Sequence, residues 1–263
     1  MMKKILAIVL AALMLFALAA CKNENDENKF VVGFDAEYPP YGYMDDDGNY
    51  TGFDLEVAEE VCKIYGWELV KTPIDWNSKD QILNSGSIDC IWNGFTVTGR
   101  EDDYTWTEAY VDNSIVWVVK KDSGITTEAD LAGKVVVTQD GSSAHTALTN
   151  TEDNAENLAL AATFKDLNFV KDFLTAFEDL ESGMADAIAI DIGVAKYQLE
   201  SRGDKFVMLE EPFSTEQYAV GFKLGNTELR DQVQAAMKQL VENGKFGELA
   251  EKYGIKDMVC LTK

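Results

Sequence analysis

The chain has 263 residues, with 46 acidic against 23 basic side chains and a formal net charge of −23 at neutral pH. So acidic a surface repels nucleic acid and anionic lipid headgroups, which disfavours a polyanion as partner. One histidine and four cysteines, at spacings that match no zinc ligand set, argue against a metal centre, and neither metal nor cofactor is expected.

Lys3 and Lys4 precede an apolar run from Ile5 to Ala20, too short and wrongly flanked for a globular element or a durable membrane span. Residues 1–20 therefore read as a secretory signal peptide. Its end, Leu18-Ala19-Ala20-Cys21, resembles a bacterial lipobox, in which the signal is cut before the cysteine and the thiol carries lipid. Acyl chains on Cys21, at about 0.8 kcal/mol per buried CH₂, would hold the protein at the outer side of the cell membrane while its body stays in water. Residues 21–29 form a polar linker, and the remainder suits two lobes of roughly 100 residues each. Cys62, Cys90 and Cys260 are an odd number that forms no closed disulfide framework, and all three read as small buried hydrophobes.

The first element is a strand over Phe30–Phe34, followed by a loop from Asp35 to Tyr43 in which Pro39-Pro40 forbids helix continuation and ladder hydrogen bonds. Asp54 to Tyr65 places Leu55, Ala58, Val61, Cys62 and Tyr65 on one helical face, with acids in the first turn where the helix dipole favours them. Thr127-Glu128-Ala129-Asp130 resembles a capping box ahead of a short helix. Lys134 to Thr138 is a second strand, ending at Gln139-Asp140-Gly141-Ser142-Ser143. Leu229, Val233, Ala236, Leu240 and Val241 form a long amphipathic stripe closed by Gly244.

One internal echo organises these elements. Leu83, Ser85, Gly86, Asp89 and Ile91 recur at a constant offset as Leu180, Ser182, Gly183, Asp186 and Ile188. Each copy reads as a helix end, a glycine C-cap and a short apolar strand, the αβ join of a parallel sheet. Gly94 and Asp191 fall at matching places just past the two strands, where open α/β sheets bind ligands. The fold class expected is α/β, two lobes that each hold a mostly parallel sheet flanked by helices.

Asp45, Asp47, Asn49 and Glu56 stand at EF-hand loop positions, but Tyr50 occupies the position that demands glycine, so the segment reads as a solvated turn. His145, after Ser142-Ser143, reads as a surface or capping residue in a helix first turn.

The segments "GFDAEYPPYGYMDDDGNYTGFDLEVAEEV", "SGSIDCIWNGFTVTGRED", "VVVTQDGSS", "ADAIAIDIGVAKY" and "QYAVGFKLGNTELRDQV", in this order, resemble the successive signatures of the extracytoplasmic solute-binding proteins of ABC transporters for polar amino acids. The resemblance covers nearly the whole chain after Cys21. It implies a periplasmic-binding-protein-like fold of type II with two hinge crossings, and one free amino acid held between the lobes.

What the resemblance implies for the site agrees with the chemistry of a zwitterion, which a dry cleft must satisfy at both charges. Arg100 would fork onto the ligand carboxylate in a bidentate geometry that lysine cannot reproduce. Thr98-Gly99-Arg100 is one residue shorter than the family's usual spacing. Thr96 would offer its hydroxyl and N–H to the same carboxylate, and the Gly94 carbonyl would accept from the ammonium. Ser143 would add donors at a helix N-terminus, where an ordinary N-cap is the competing role. Asp191 would supply the ammonium's counter-charge from the second lobe, and Asp35 would assist at the ammonium or the ligand side chain. Tyr38 and Trp76 match positions where aromatic rings stack over that side chain.

Lobe one is expected at 30–110 plus 217–263, and lobe two at 115–212. The expected function is capture of an amino acid by lobe closure and delivery to a membrane permease, by a monomer without enzymatic activity. Two alternatives stand beside it, a cleft enzyme of the same fold that dehydrates a small carboxylic acid with Asp191, Asp35 or His145 as acid or base, and a ligand-sensing module.

Overall fold

A computed structural model describes residues 28–150 and 155–262. The expected signal segment, Cys21 and the linker through residue 27 lie outside the described residues. The chain opens with β1 (Lys29–Phe34), a small antiparallel excursion of β2 (Glu37–Tyr38), β3 (Gly42–Met44) and β4 (Tyr50–Thr51), helix α1 (Phe53–Tyr65) and β5 (Glu68–Pro73). A 3-10 turn at Trp76–Ser78 and α2 (Lys79–Ser85) lead to β6 (Cys90–Ile91) and β7 (Tyr104–Trp106). β8 (Val111–Lys120) then crosses to a second sheet, built with β9 (Val135–Gln139), α3 (Ser143–Thr149), α4 (Ala155–Ala161), β10 (Asp166–Val170), α5 (Phe173–Ser182), β11 (Ala187–Asp191), α6 (Ile192–Arg202) and β12 (Phe206–Met208). β13 (Ser214–Tyr218) returns toward the first sheet, which receives β14 (Gly221–Lys223) before α7 (Thr227–Glu242) and α8 (Lys245–Lys252).

The first sheet has the order β5-β1-β6-β14-β7 and the second β10-β9-β11-β8-β12, with β13 also paired to β8. The expectation of parallel pairing holds for β5-β1-β6 and for β10-β9-β11. It fails on the hinge side, where β14 is antiparallel to β6 and β7, and β8 is antiparallel to β11, β12 and β13. The reason is connectivity: a parallel neighbour needs a helical crossover, whereas β8 and β13 enter and leave the second lobe as direct strands. Their own pairing, from Ser214 opposite Ile115 to Tyr218 opposite Val111, makes the hinge a continuous antiparallel ladder.

The internal echo acquires a physical content. α2 and α5 both end on glycines in the left-handed conformation, Gly86 at φ 78° and Gly183 at φ 83°, which costs a non-glycine residue about 1–2 kcal/mol. Asp89 accepts the Val31 N–H at 2.7 Å and Asp186 accepts the Val135 N–H at 2.8 Å, so each aspartate fastens its join to the start of the neighbouring strand. Leu83 and Leu180, Ile91 and Ile188 are buried beneath.

One apolar core continues through both lobes on the hinge side, with Tyr38 and Tyr41 of the first packed near Phe173 and Val194 of the second. A side chain at Gly193 would stand 2.5 Å from the Tyr41 hydroxyl, so the second lobe approaches this closely only because residue 193 is glycine.

Local expectations mostly stand. On α1, Leu55, Ala58, Val61 and Cys62 are buried, but Tyr65 lies at the helix end, 37% exposed and stacked on Trp67. Asp130 accepts from the Thr126 and Thr127 N–H groups and caps a 3-10 turn at Glu128–Leu131. Asp45 closes its own turn by accepting from the Asp47 and Asn49 N–H groups, and the Glu56 carboxylate is held by Lys252 and Tyr253. Cys62 and Cys90 are buried, while Cys260 is only partly so, and all three are free thiols.

Candidate functional site

All eight expected site residues, Asp35, Tyr38, Trp76, Gly94, Thr96, Arg100, Ser143 and Asp191, line a single cavity between the lobes, together with Asn93, Gln139 and Ser142. The space between them, open to solvent at its mouth, is about 290 Å³. The first lobe contributes the loop after β1 and the turn after β6; the second contributes the start of α3 and the end of β11. The site therefore gathers at the carboxyl ends of parallel strands, as expected of open α/β sheets.

The approach to Arg100 is set by glycine geometry. Gly94 has φ 57°, and a side chain there would meet the Tyr218 and Tyr38 rings at 2.9 and 3.0 Å. Gly99 has φ 77° within a tight turn in which the Arg100 N–H donates to the Val97 carbonyl at 2.8 Å. The half-buried Arg100 guanidinium lies over the Phe95 ring and donates to the carbonyls of Thr96 at 3.2 Å and Gly141 at 3.3 Å. It makes no ion pair with Glu101, Asp102 or Asp103 among the described residues. Because Gly141 belongs to the second lobe, Arg100 already bridges the cleft, and Trp76 Nε1 donates to the same carbonyl at 3.2 Å.

Asp191 sits at the opposite wall, 2% exposed. Its Oδ1 accepts from the Tyr218 hydroxyl at 2.6 Å and Asn113 Nδ2 at 2.7 Å, which fixes a carboxylate that faces the cavity. The Tyr38 hydroxyl lies 3.1 Å from that of Tyr218, so the ring wall is tied to the same group. Asp35 accepts from Gln139 Nε2 at 2.6 Å across the cleft, and burial pushes its carboxyl up to about 6. Ser142, not Ser143, is the N-cap of α3, accepting from the His145 N–H, while the Ser143 hydroxyl donates to Glu216 at 3.1 Å. His145 accepts from the Gly141 N–H at 3.1 Å and stacks on Phe169, and it is not among the residues that line the cavity.

Two important acids escaped sequence reasoning. Asp54, read as a first-turn acid of α1, is fully buried beneath the site and accepts from the Gly94 N–H at 2.5 Å and the Tyr110 hydroxyl at 2.8 Å. Burial pushes its carboxyl up to about 7. Glu216, on hinge strand β13, accepts through Oε1 from Thr96 at 2.8 Å, Asn113 at 2.8 Å and Ser143 at 3.1 Å, and burial with Asp191 nearby pushes it up to about 8. The alternation Glu216, Tyr218 along an apolar-flanked strand was the only local signal of an inward-facing acid.

Chemically the cavity offers one guanidinium on the first-lobe wall, one carboxylate on the second-lobe wall, and two aromatic rings beside a further carboxylate. Among the described residues no cluster is placed to hold a metal ion, and no helix is long and apolar enough to cross a membrane.

These features define a two-lobed α/β protein of the periplasmic-binding-protein class. The chain belongs to the bacterial extracellular solute-binding proteins, family 3, whose model matches residues 30–256. It is 31% identical to the arginine-binding extracellular protein ArtP of Bacillus subtilis, over 96% of this chain and 98% of that one. It is 30% identical to the L-cystine-binding protein TcyJ of Escherichia coli, over 87% and 83%. Among solved structures, an ABC uptake transporter substrate-binding protein from Streptococcus pneumoniae with bound histidine superposes with a TM-score of 0.83 at 33% identity, covering 89% of this chain and 96% of that chain.

Proposed function

We propose that this chain is the substrate-binding component of an ABC importer, which captures a free polar amino acid between two closing lobes and delivers it to a membrane permease. One observation carries this: Arg100 and Asp191, opposite charges suited to the two poles of a zwitterion, face one cavity from opposite lobes. In this scheme Arg100 takes the α-carboxylate, with Thr96 and Ser143 beside it. Asp191 and the Gly94 carbonyl take the ammonium, and Tyr38, Trp76 and Asp35 surround the side chain. The relatives' names support an amino acid as cargo, and their variety, arginine, cystine and histidine, leaves the side chain open.

Lobe one is assigned to 30–110 and 217–263 and lobe two to 115–212, so that ligand contacts from both are completed only on closure, and differential affinity for the closed state drives it. The signal peptide over 1–20 and a lipid on Cys21 would keep a monomeric body at the outer face of the cell membrane. The cleft is taken as non-catalytic, since His145 does not line it and its acids are engaged by hydrogen bonds.

Calorimetric titration with the twenty amino acids and cystine tests the proposal. Binding near or below micromolar, about −8 kcal/mol or better, is expected for one or a few of them. Absence of binding throughout, or turnover of a small carboxylic acid, overturns it.

A further inference from the structure

Glu216 conflicts with the simplest description of this site. A hydroxyl carries one hydrogen. Thr96 and Ser143 both commit theirs to Glu216 Oε1, at 2.8 and 3.1 Å. With those hydrogens engaged, the two oxygens face the cavity as acceptors, the wrong polarity for a ligand carboxylate. Glu216 is 6% exposed, and its cross-strand partner in the hinge ladder is Asn113, whose Nδ2 donates at once to Glu216 and to Asp191. Two acids therefore share one amide in a dry place, and a bound amino acid brings a third carboxylate. Arg100 is directed at the Thr96 and Gly141 carbonyls, not at Glu216.

Resting on the amino-acid-binding function proposed above, we propose that Glu216 is a positioning residue that takes up a proton when the loaded cleft closes. The new O–H donates to the Thr96 or Ser143 oxygen and so turns that hydroxyl's own hydrogen toward the ligand carboxylate. The proton comes from solvent, no covalent bond to carbon changes, and two carboxylates no longer oppose a third. The charged and titratable groups that face Glu216 are Asp191 from β11, Tyr41 from the loop after β2 and Tyr218 from its own strand. In this structure Arg100 and Ser143 already bridge the cleft, and burial with Asp191 pushes the Glu216 carboxyl up to about 8, the value of the closed cleft; uptake on closure requires that solvent hold it lower in the open one. Glu216 thereby couples the hinge, through Asn113, to the polarity of the ligand subsite.

The test is titration calorimetry of the full chain with L-arginine, L-glutamine and L-cystine at about pH 6.5, in buffers of low and high ionisation enthalpy, repeated across about pH 5.5 to 8. Neither the arginine nor the glutamine side chain titrates in that window, and for cystine, whose amino groups titrate at about pH 8, the readout is kept below about pH 7. Uptake of about one proton per ligand is expected, with affinity falling by up to roughly tenfold per pH unit as pH rises. In Glu216→Gln, whose amide donates without titrating, the proton uptake and that pH dependence disappear. Glu216→Ala weakens binding relative to Glu216→Gln, as loss of packing alone would also do; the proton uptake, absent from Glu216→Gln, is the readout that a space-filling role does not move. Binding by wild type with no proton uptake, or uptake that persists in Glu216→Gln and so belongs to Asp35 or Asp54, overturns the role of Glu216 alone. If wild type binds none of the three, the titration is repeated with the remaining amino acids, and absence of binding throughout overturns the binding function and this proposal with it.

Discussion

The two joins that carry Gly94 and Asp191 to the cleft share a frame: a helix ending in a left-handed glycine, an aspartate that fastens the join to the neighbouring strand, and a buried strand parallel to that neighbour. Past the strand they part. The first lobe presents bare backbone at Gly94, supported from beneath by Asp54, and sends a cation forward at Arg100. The second presents a carboxylate, Asp191, braced by Tyr218 and Asn113 from the hinge. The repeated frame holds two walls at a common depth, and the few residues beyond it give the walls opposite charge. A zwitterion is the ligand that such a pair of walls distinguishes.

The sharpest way to break this pairing is to remove one charged wall. Arg100→Ala should weaken amino acid binding by about 2–5 kcal/mol, read by calorimetric titration. Wild-type affinity in the mutant would remove Arg100 from the site.

The next effect concerns the support under each wall. Asp54 has its pKa raised from an ordinary 3.8 to about 7 in the folded protein. The folded state thus binds more protons than the unfolded chain between those values, and stability falls as pH rises through that window, levelling above it. A shift of this size corresponds to an order of a few kcal/mol. Thermal unfolding should show a higher midpoint near pH 5 than near pH 8, with Asp35 acting in the same direction. Asp54→Asn should flatten part of that slope, and an unchanged slope would show that the buried acid ionises freely.

The shared frame makes smaller, matched predictions. Asp89→Ala and Asp186→Ala each remove a charge-assisted bond to a strand N–H and should each cost about 1.5–3 kcal/mol in denaturant unfolding. Gly86→Ala meets no atom within 4 Å and Gly183→Ala only Lys120 Nζ at 3.7 Å, an ordinary contact, so each should cost only its backbone strain, about 1–2 kcal/mol. Similar values within each pair sharpen the comparison; a large inequality breaks the equivalence of the joins.

Much of the frame was legible because it is local. The C-capping glycines, the α1 stripe and the Thr127 capping box act over a few residues, and the echo between Leu83 and Leu180 made two lobes visible. Legible too were the residues at strand ends, and all eight of those expected at the site reach the cavity. What escaped depends on pairings distant in sequence. Glu216 and Asn113 meet only because β8 and β13 run antiparallel through the hinge. Asp54 looked like any first-turn acid, and its burial follows from Tyr110 and Gly94 closing over it. Tyr65 fits the α1 stripe by spacing, but the helix ends there and its ring turns onto Trp67.

The most direct test is a crystal structure of the chain with the amino acid that titration identifies. The expected complex has the α-carboxylate within hydrogen-bond distance of the Arg100 guanidinium and the ammonium against Asp191, enclosed by both lobes. A ligand seated outside the cavity, or one inside it that leaves Arg100 and Asp191 untouched, contradicts the opposed walls as the basis of recognition.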